Sequence, residues 1–170
     1  VIGSAATGTG KTAAFALPMV QMIEPGDGGV QALVLAPTRE LAVQVAEAIH
    51  RYGRFRSVKV LPVYGGQSID RQLGALRRGV HVVVGTPGRI LDHIRRRSLD
   101  LSTVRYVVLD EADEMLDMGF IEDIEAILSE TPEARQTALF SATFPSRIRQ
   151  LSDRHLSEPV RVAVRPGRME

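Results

Sequence analysis

Short apolar runs alternate with longer amphipathic stretches almost to the end of the chain. The runs are Ala32 to Ala36, Val58 to Val63, Val80 to Gly85, Val104 to Leu109, Thr137 to Ser141 and Val160 to Val164. Between them Leu41, Val45, Ile49 and Tyr52 recur every three or four residues, as do Ile69, Leu73 and Leu76, then Ile90 and Ile94, then Ile121, Ile124 and Leu128. Helical spacing between strand-length runs predicts a βαβ series. Several runs are apolar throughout, as expected of parallel strands covered by helices on both faces. The expected architecture is therefore α/β: a doubly wound, mostly parallel sheet with helices on both faces, forming one domain over 1–170. In such a sheet ligands bind beyond the carboxyl ends of the strands, so the residues just after each run carry the functional interest.

Local signals refine this outline. Thr86 followed by Pro87 reads as a helix cap with proline at the first helical position, and Ser68 precedes another helix. Pro18 should kink the first helix by removing a ladder donor. Glu24 to Gly29, with its Pro, Asp and three Gly, reads as a surface loop. The chain opens at Val1, directly on a strand end, as expected of a piece of a longer protein.

Composition narrows the class. At 170 residues, roughly 70% of the unfolded surface can be buried, enough for a core without covalent staples. Cysteine is absent, which removes disulfides, thiolate zinc sites and a cysteine nucleophile. No stretch reaches the ~18 apolar residues of a membrane span, and no secretory leader is visible. The expected setting is cytoplasmic, without a membrane. Histidines 50, 81, 93 and 155 have no metal-ligand spacing and read as structural or surface residues.

Net charge is only +1, but the charges are sorted. Arg71 to Arg97 holds seven arginines and one acid, whereas Asp110 to Glu133 holds ten acids and no base. Such a chain can present a cationic face while remaining near neutral, so the arginine-rich third is either a nucleic-acid face or a solvated surface.

Two strand ends carry sharper chemistry. After Val1 and Ile2 come Gly3, Ser4, Ala5, Ala6, Thr7, Gly8, Thr9, Gly10, Lys11 and Thr12, then a helical run. Glycines let successive backbone N–H groups face one anion, and the helix start adds a positive dipole end. Lys11 can reach terminal phosphates and the Thr12 hydroxyl can ligate Mg²⁺. A strict phosphate-loop pattern has Gly where this chain has Ala5. The second strand end is Tyr106 to Leu109 followed by Asp110, Glu111, Ala112 and Asp113. An aspartate leaving a buried strand beside such a loop is placed to contact Mg²⁺, and the adjacent glutamate to orient or deprotonate an attacking water.

AATGTGKT (Ala5 to Thr12), PTRELA (Pro37 to Ala42), Gly65-Gly66, TPGR (Thr86 to Arg89), DEAD (Asp110 to Asp113) and SAT (Ser141 to Thr143) occur in the order of DEAD-box RNA helicases. EMLDMGF (Glu114 to Phe120) extends the acidic motif, and the resemblance spans nearly the whole chain. Alanine is common at the Ala5 position in that family. The resemblance implies a P-loop NTPase fold, the amino-terminal of two RecA-like domains, with ATP and Mg²⁺ as cofactors. It assigns Ala5, Ala6, Thr7, Gly8, Thr9, Gly10, Lys11 and Thr12 to the phosphates, with Thr12 and Asp110 on the metal. Glu111 would activate water, and Asp113 would pair with Ser141 and Thr143, linking hydrolysis to strand separation. Pro37, Thr38, Arg39, Gly65, Gly66, Thr86, Gly88 and Arg89 would follow an RNA backbone.

Thr38, Gly66 and Thr86 each follow a predicted strand, where N–H groups, hydroxyls and helix starts meet phosphates. Aromatics are only 5% of the chain, so backbone and 2′-hydroxyl recognition is favoured over base stacking. The implied partners are RNA and a second RecA-like domain of the same protein, the chain itself being monomeric. The family's adenine-reading glutamine segment and its arginine finger fall outside Val1 to Glu170, so slow turnover is expected of this piece alone. The competing readings are a nucleotide- or RNA-binding module without turnover, and another P-loop nucleic-acid translocase.

Overall fold

The computed structural model describes residues 1–5 and 10–164. Its strands are β1 (Ile2–Ser4), β2 (Ala32–Leu35), β3 (Val60–Val63), β4 (Val82–Gly85), β5 (Tyr106–Leu109), β6 (Gln136–Ser141) and β7 (Arg161–Ala163). They form one seven-stranded sheet in the order β3-β4-β2-β5-β6-β1-β7. Every pairing is parallel. The connecting helices are α1 (Lys11–Met22), α2 (Arg39–Gly53), α3 (Ile69–Arg78), α4 (Pro87–Arg95), α5 (Ala112–Asp117), α6 (Ile121–Ser129) and α7 (Ser146–His155). Each predicted run contains its strand except Thr137 to Ser141, which β6 precedes by one residue at Gln136. Four ladders start later than their runs; in three of them Val58 and Val104 close turns by donating to the Gly53 and Leu101 carbonyls, and His81 rather than Val80 meets Lys59. Pro18 lies inside α1, which continues for another turn beyond it.

Sheet position explains the composition of each strand. β2, at the centre between β4 and β5, is buried at all four positions, as is β4. β7, at one edge, is exposed throughout. Successive side chains point to opposite faces. Thus Leu33, Leu35, Val83, Val107 and Leu109 join a core with α4, α6 and α7, while Ala32, Val34, Val82, Val84 and Val108 join another with α1 and α2.

The register aligns the strand ends. Ser4 pairs with Ser141, Leu109 with Leu139 and Leu35, and Gly85 with Leu35 and Val63. Every motif that follows one of these strands therefore emerges at the same edge of the sheet. Gly85 permits the tight end of β4: a Cβ there would lie 2.5 Å from both the Val63 carbonyl oxygen and Ile90 Cδ1.

Helices return antiparallel to the strands, so their carboxyl ends lie at the opposite edge. This divides the arginine-rich third. Arg89 stands at the start of α4, whereas Arg77, Arg78 and Arg95 stand in the last turns of α3 and α4, with Arg96 just beyond. There they oppose the negative ends of the helix dipoles. The cluster seen in the sequence is not one face.

Candidate active site and nucleic-acid interface

The ends of β1, β5 and β6 meet the first turn of α1. Gly10 caps that helix at φ 79°, a left-handed conformation that favours glycine. The Asp110 amide donates to the Leu35 carbonyl at 2.9 Å, holding the residue just beyond β5, and its side chain is fully buried. Lys11 Nζ lies 2.9 Å from Asp110 Oδ1 and 3.7 Å from Glu111 Oε1. The Lys11 contact is an ion pair by distance without the alignment of a hydrogen bond. Among the described residues, neither Asp110 carboxylate oxygen has a hydrogen-bonding partner. Burial pushes the Asp110 carboxyl above its ordinary pKa, outweighing the nearby Lys11 ammonium.

A buried carboxylate with unfilled acceptors suits a hard cation that takes oxygen ligands. Thr12, in the first turn of α1, supplies a hydroxyl one residue after Lys11. No group of three or more His, Cys, Asp or Glu that could hold a metal occurs among the described residues. Asp110 and Thr12 fit Mg²⁺, which commonly takes one or two protein carboxylates and completes its shell with water and phosphate. Glu111 sits at φ 49° and ψ 55° as the cap of α5. This left-handed conformation costs a non-glycine residue about 1–2 kcal/mol, and it falls where the chain turns from Asp110 into α5. Ala5 directly follows β1; Ala6, Thr7, Gly8 and Thr9 lie outside the described residues.

Asp113 connects β5 to β6. Its Oδ2 accepts from the Thr143 amide at 3.2 Å and the Thr143 hydroxyl at 3.0 Å. Ser141 reaches the Asp113 backbone instead, accepting from its amide at 3.2 Å while donating to the Thr143 carbonyl at 2.6 Å. The turn after β6 is thereby fastened to the first turn of α5.

The other half of the edge follows β2, β4 and β3. Thr38 caps α2, its hydroxyl accepting from the Leu41 amide at 3.2 Å. Thr86 caps α4 through its backbone alone, leaving its hydroxyl outside the cap. Thr38, Gly65, Gly66 and Gly88 are exposed, whereas Pro37 is buried and shapes the turn rather than the surface. Arg39 lays its guanidinium over the Tyr64 ring at 5.0 Å. Arg89 is half-buried, and its Nη1 donates to the Gln67 carbonyl and to Gln72 Oε1, each at 3.1 Å. Two groups of motifs thus share one edge, with β2 and β5 as neighbours between them.

The sequence profile of the DEAD/DEAH box helicase family matches residues 1–151. The chain belongs to that family. It is 59% identical to the DEAD-box ATP-dependent RNA helicase CshA of Geobacillus kaustophilus over 169 residues, covering 99% of this chain and 36% of that protein. Against the CshA of Bacillus subtilis the identity is 55%, covering 99% and 34%. A DEAD box protein from the hyperthermophile Methanococcus jannaschii superposes with a TM-score of 0.92 at 44% identity, covering 96% of this chain and 45% of that one. A hypothetical ATP-dependent RNA helicase from Sulfolobus tokodaii gives 0.87 at 41%, covering 96% and 47%. The fold is the RecA-like one of this DEAD-box family, and the chain spans about a third of the length of its curated relatives. No helix among the described residues is long and apolar enough to cross a membrane.

Within this DEAD-box domain, reading by motif passed over Gln72. It is buried on α3 and bonded to both Arg89 and the Tyr64 to Gln67 turn. A signal existed: Gln72 shares the helical face of Ile69, Leu73 and Leu76, where an amide is out of place. The positive φ of Glu111 had no signal in composition or spacing.

Proposed function

We propose that this chain is the amino-terminal motor domain of an ATP-dependent RNA helicase, binding Mg-ATP and an RNA backbone along one sheet edge. The observation that carries the reading is the convergence of Lys11, Asp110 and Glu111, from α1 and the end of β5, within 3.7 Å. In the ligand-free chain the Lys11 ammonium partly balances the buried Asp110 carboxylate. The Lys11 ammonium would bind the anionic phosphates of a triphosphate, and the Asp110 carboxylate, with the Thr12 hydroxyl, would hold Mg²⁺. The ion supplies neutralisation of phosphate charge. Gly8, Gly10 and their neighbours contribute backbone N–H groups to the phosphates. Glu111, on its strained backbone, orients and deprotonates the attacking water. Asp113, bonded to Thr143, carries changes at the nucleotide to the β6 turn.

On the neighbouring half of the edge, Thr38, Arg39, Gly65, Gly66, Thr86, Gly88 and Arg89 form the RNA surface. Its exposed backbone, hydroxyls and arginines recognise phosphate and 2′-hydroxyl without reading bases. A second RecA-like domain of the same protein supplies the arginine finger, worth ~10³–10⁵ in rate in phosphoryl transfer. Residues 1–170 alone are expected to bind Mg-nucleotide weakly and hydrolyse it slowly, whereas the full-length protein shows RNA-stimulated turnover and unwinds short duplexes. Steady-state ATPase assays of both forms with and without RNA test this. Full RNA-stimulated rates from residues 1–170 alone would overturn the division of labour. DNA stimulating the full-length protein as well as RNA does would favour the other translocase class.

A further inference from the structure

Gln72 is 1% exposed, and its amide has four hydrogen-bond valences, all of them used. The Nε2 group donates to the Tyr64 carbonyl at 3.0 Å and to Gln67 Oε1 at 2.9 Å. The Oε1 atom accepts from Arg89 Nη1 at 3.1 Å and faces His93 Nε2 at 2.8 Å. An amide oxygen only accepts, so His93 carries its proton on Nε2. Burial and the Arg89 charge hold the His93 pKa below its ordinary value, keeping the ring neutral. Its Nδ1 lies 2.7 Å from the Ser98 hydroxyl, whose single proton is shared between that ring nitrogen and the His93 carbonyl 3.0 Å away. Turning the amide over would set its NH₂ against two donors, so one orientation is enforced.

The partners divide by location. Tyr64 and Gln67 flank the Gly65-Gly66 turn after β3, whereas Arg89 and His93 lie one turn apart on α4, behind Thr86 and Gly88. Arg39, at the start of α2, covers the Tyr64 ring and extends the chain of contacts to a third loop. We infer that Gln72 is a positioning residue for RNA, locking the turns after β3 and β4 into one rigid phosphate-gripping unit. The inference rests on the RNA surface proposed above. A buried network in which every member is satisfied rigidifies and specifies geometry, whereas one left half-satisfied is costly. Gln72 itself touches no RNA; it sets the spacing of the groups that do.

The test uses the full-length protein and a fluorescein-labelled single-stranded oligouridylate. Gln72→Leu should weaken RNA binding by about tenfold in anisotropy titrations, the loss of one charge-assisted bond with its orphaned partners. Mg-nucleotide affinity should stay within about twofold of the parent, a split that mere loss of stability would not produce. Gln72→Glu keeps the acceptor for Arg89 and His93 but loses both donors to the β3 turn, and should fall between the two. In a double-mutant cycle on RNA affinity, Gln72→Leu and Arg89→Ala should be strongly non-additive. If Gln72→Leu does not fold, Gln72→Glu decides the matter. Parental RNA affinity in a folded Gln72 variant overturns the inference and leaves the RNA surface standing. A parent protein that binds no RNA removes the surface itself.

Discussion

On the β1, β5 and β6 side of the sheet's carboxyl edge the Lys11–Asp110 pair is charged and hidden. Asp110 is fully buried, and the Lys11 side chain is 10% exposed. On the β2, β4 and β3 side, Thr38, Gly65, Gly66 and Gly88 are exposed and uncharged. The contrast matches the two tasks proposed for these halves. Phosphoryl transfer gains from charges held in a low-dielectric pocket, where each interaction is stronger than in water. Gripping a polymer of any sequence needs accessible donors at fixed spacing, and exposure costs it little. The second half obtains rigidity from a buried amide network, the first from an ion pair that leaves Asp110 short of partners.

Breaking the buried half should produce the largest effects. Glu111→Gln is expected to leave Mg-nucleotide affinity within about twofold while lowering turnover by about 10²–10⁴, the usual worth of a positioned base. Single-turnover ATPase in the full-length protein measures it, and a parental rate would remove Glu111 from the chemistry. Lys11→Ala should weaken nucleotide binding by about 10–100-fold, one charge-assisted contact to phosphate. RNA affinity measured without nucleotide should not change. Titration with a fluorescent nucleotide decides this, and unchanged affinity would detach Lys11 from the phosphates.

Asp110→Asn sharpens the comparison in the opposite direction. It should destroy Mg²⁺-dependent nucleotide binding yet raise the ligand-free thermal midpoint by about 2–4 °C, since it removes a buried charge that the Lys11 ammonium only partly offsets. The pH dependence has a definite sign. Asp110 binds its proton more tightly in the fold than in the unfolded chain, because its folded pKa is raised. Its contribution to stability is therefore complete below the ordinary carboxylate range near pH 4 and is lost as pH rises through the raised value. The stability gap between Asp110→Asn and the parent should open as pH climbs from about 4. A constant gap, followed by denaturant melts across pH, would contradict the buried-charge account.

The smallest effects separate two threonines in the exposed half. Thr38→Val removes a cap and should cost about 1 kcal/mol of stability. Thr86→Val removes a hydroxyl that caps nothing, so stability should change by less than about 0.5 kcal/mol. Both variants should bind RNA less tightly. Equal destabilisation by the two substitutions would show that the Thr86 hydroxyl has a structural partner after all.

Much of the architecture is legible along the chain, because strands buried on both faces must be apolar throughout and helices must repeat every three or four residues. Ala32 to Leu35 and Val82 to Gly85 show the first rule; Val45 and Ile49 show the second. The motifs after the strands were likewise visible, since phosphate and metal chemistry restricts residue types sharply. The sequence by itself therefore determined the fold class, the family, and which short stretches carry charge or hydroxyls at strand ends. Tertiary structure alone decided which of them meet: the strand order puts β5 beside β6 and β6 beside β1, bringing Lys11 against Asp110 and Thr143 against Asp113. It also split the arginine-rich third between opposite edges, and it turned Gln72 from a misfit on a helix face into a hub with four partners. The physical reason is that periodicity and residue type are local, whereas desolvation, ion pairing and hydrogen-bond satisfaction depend on which distant segments the sheet brings side by side.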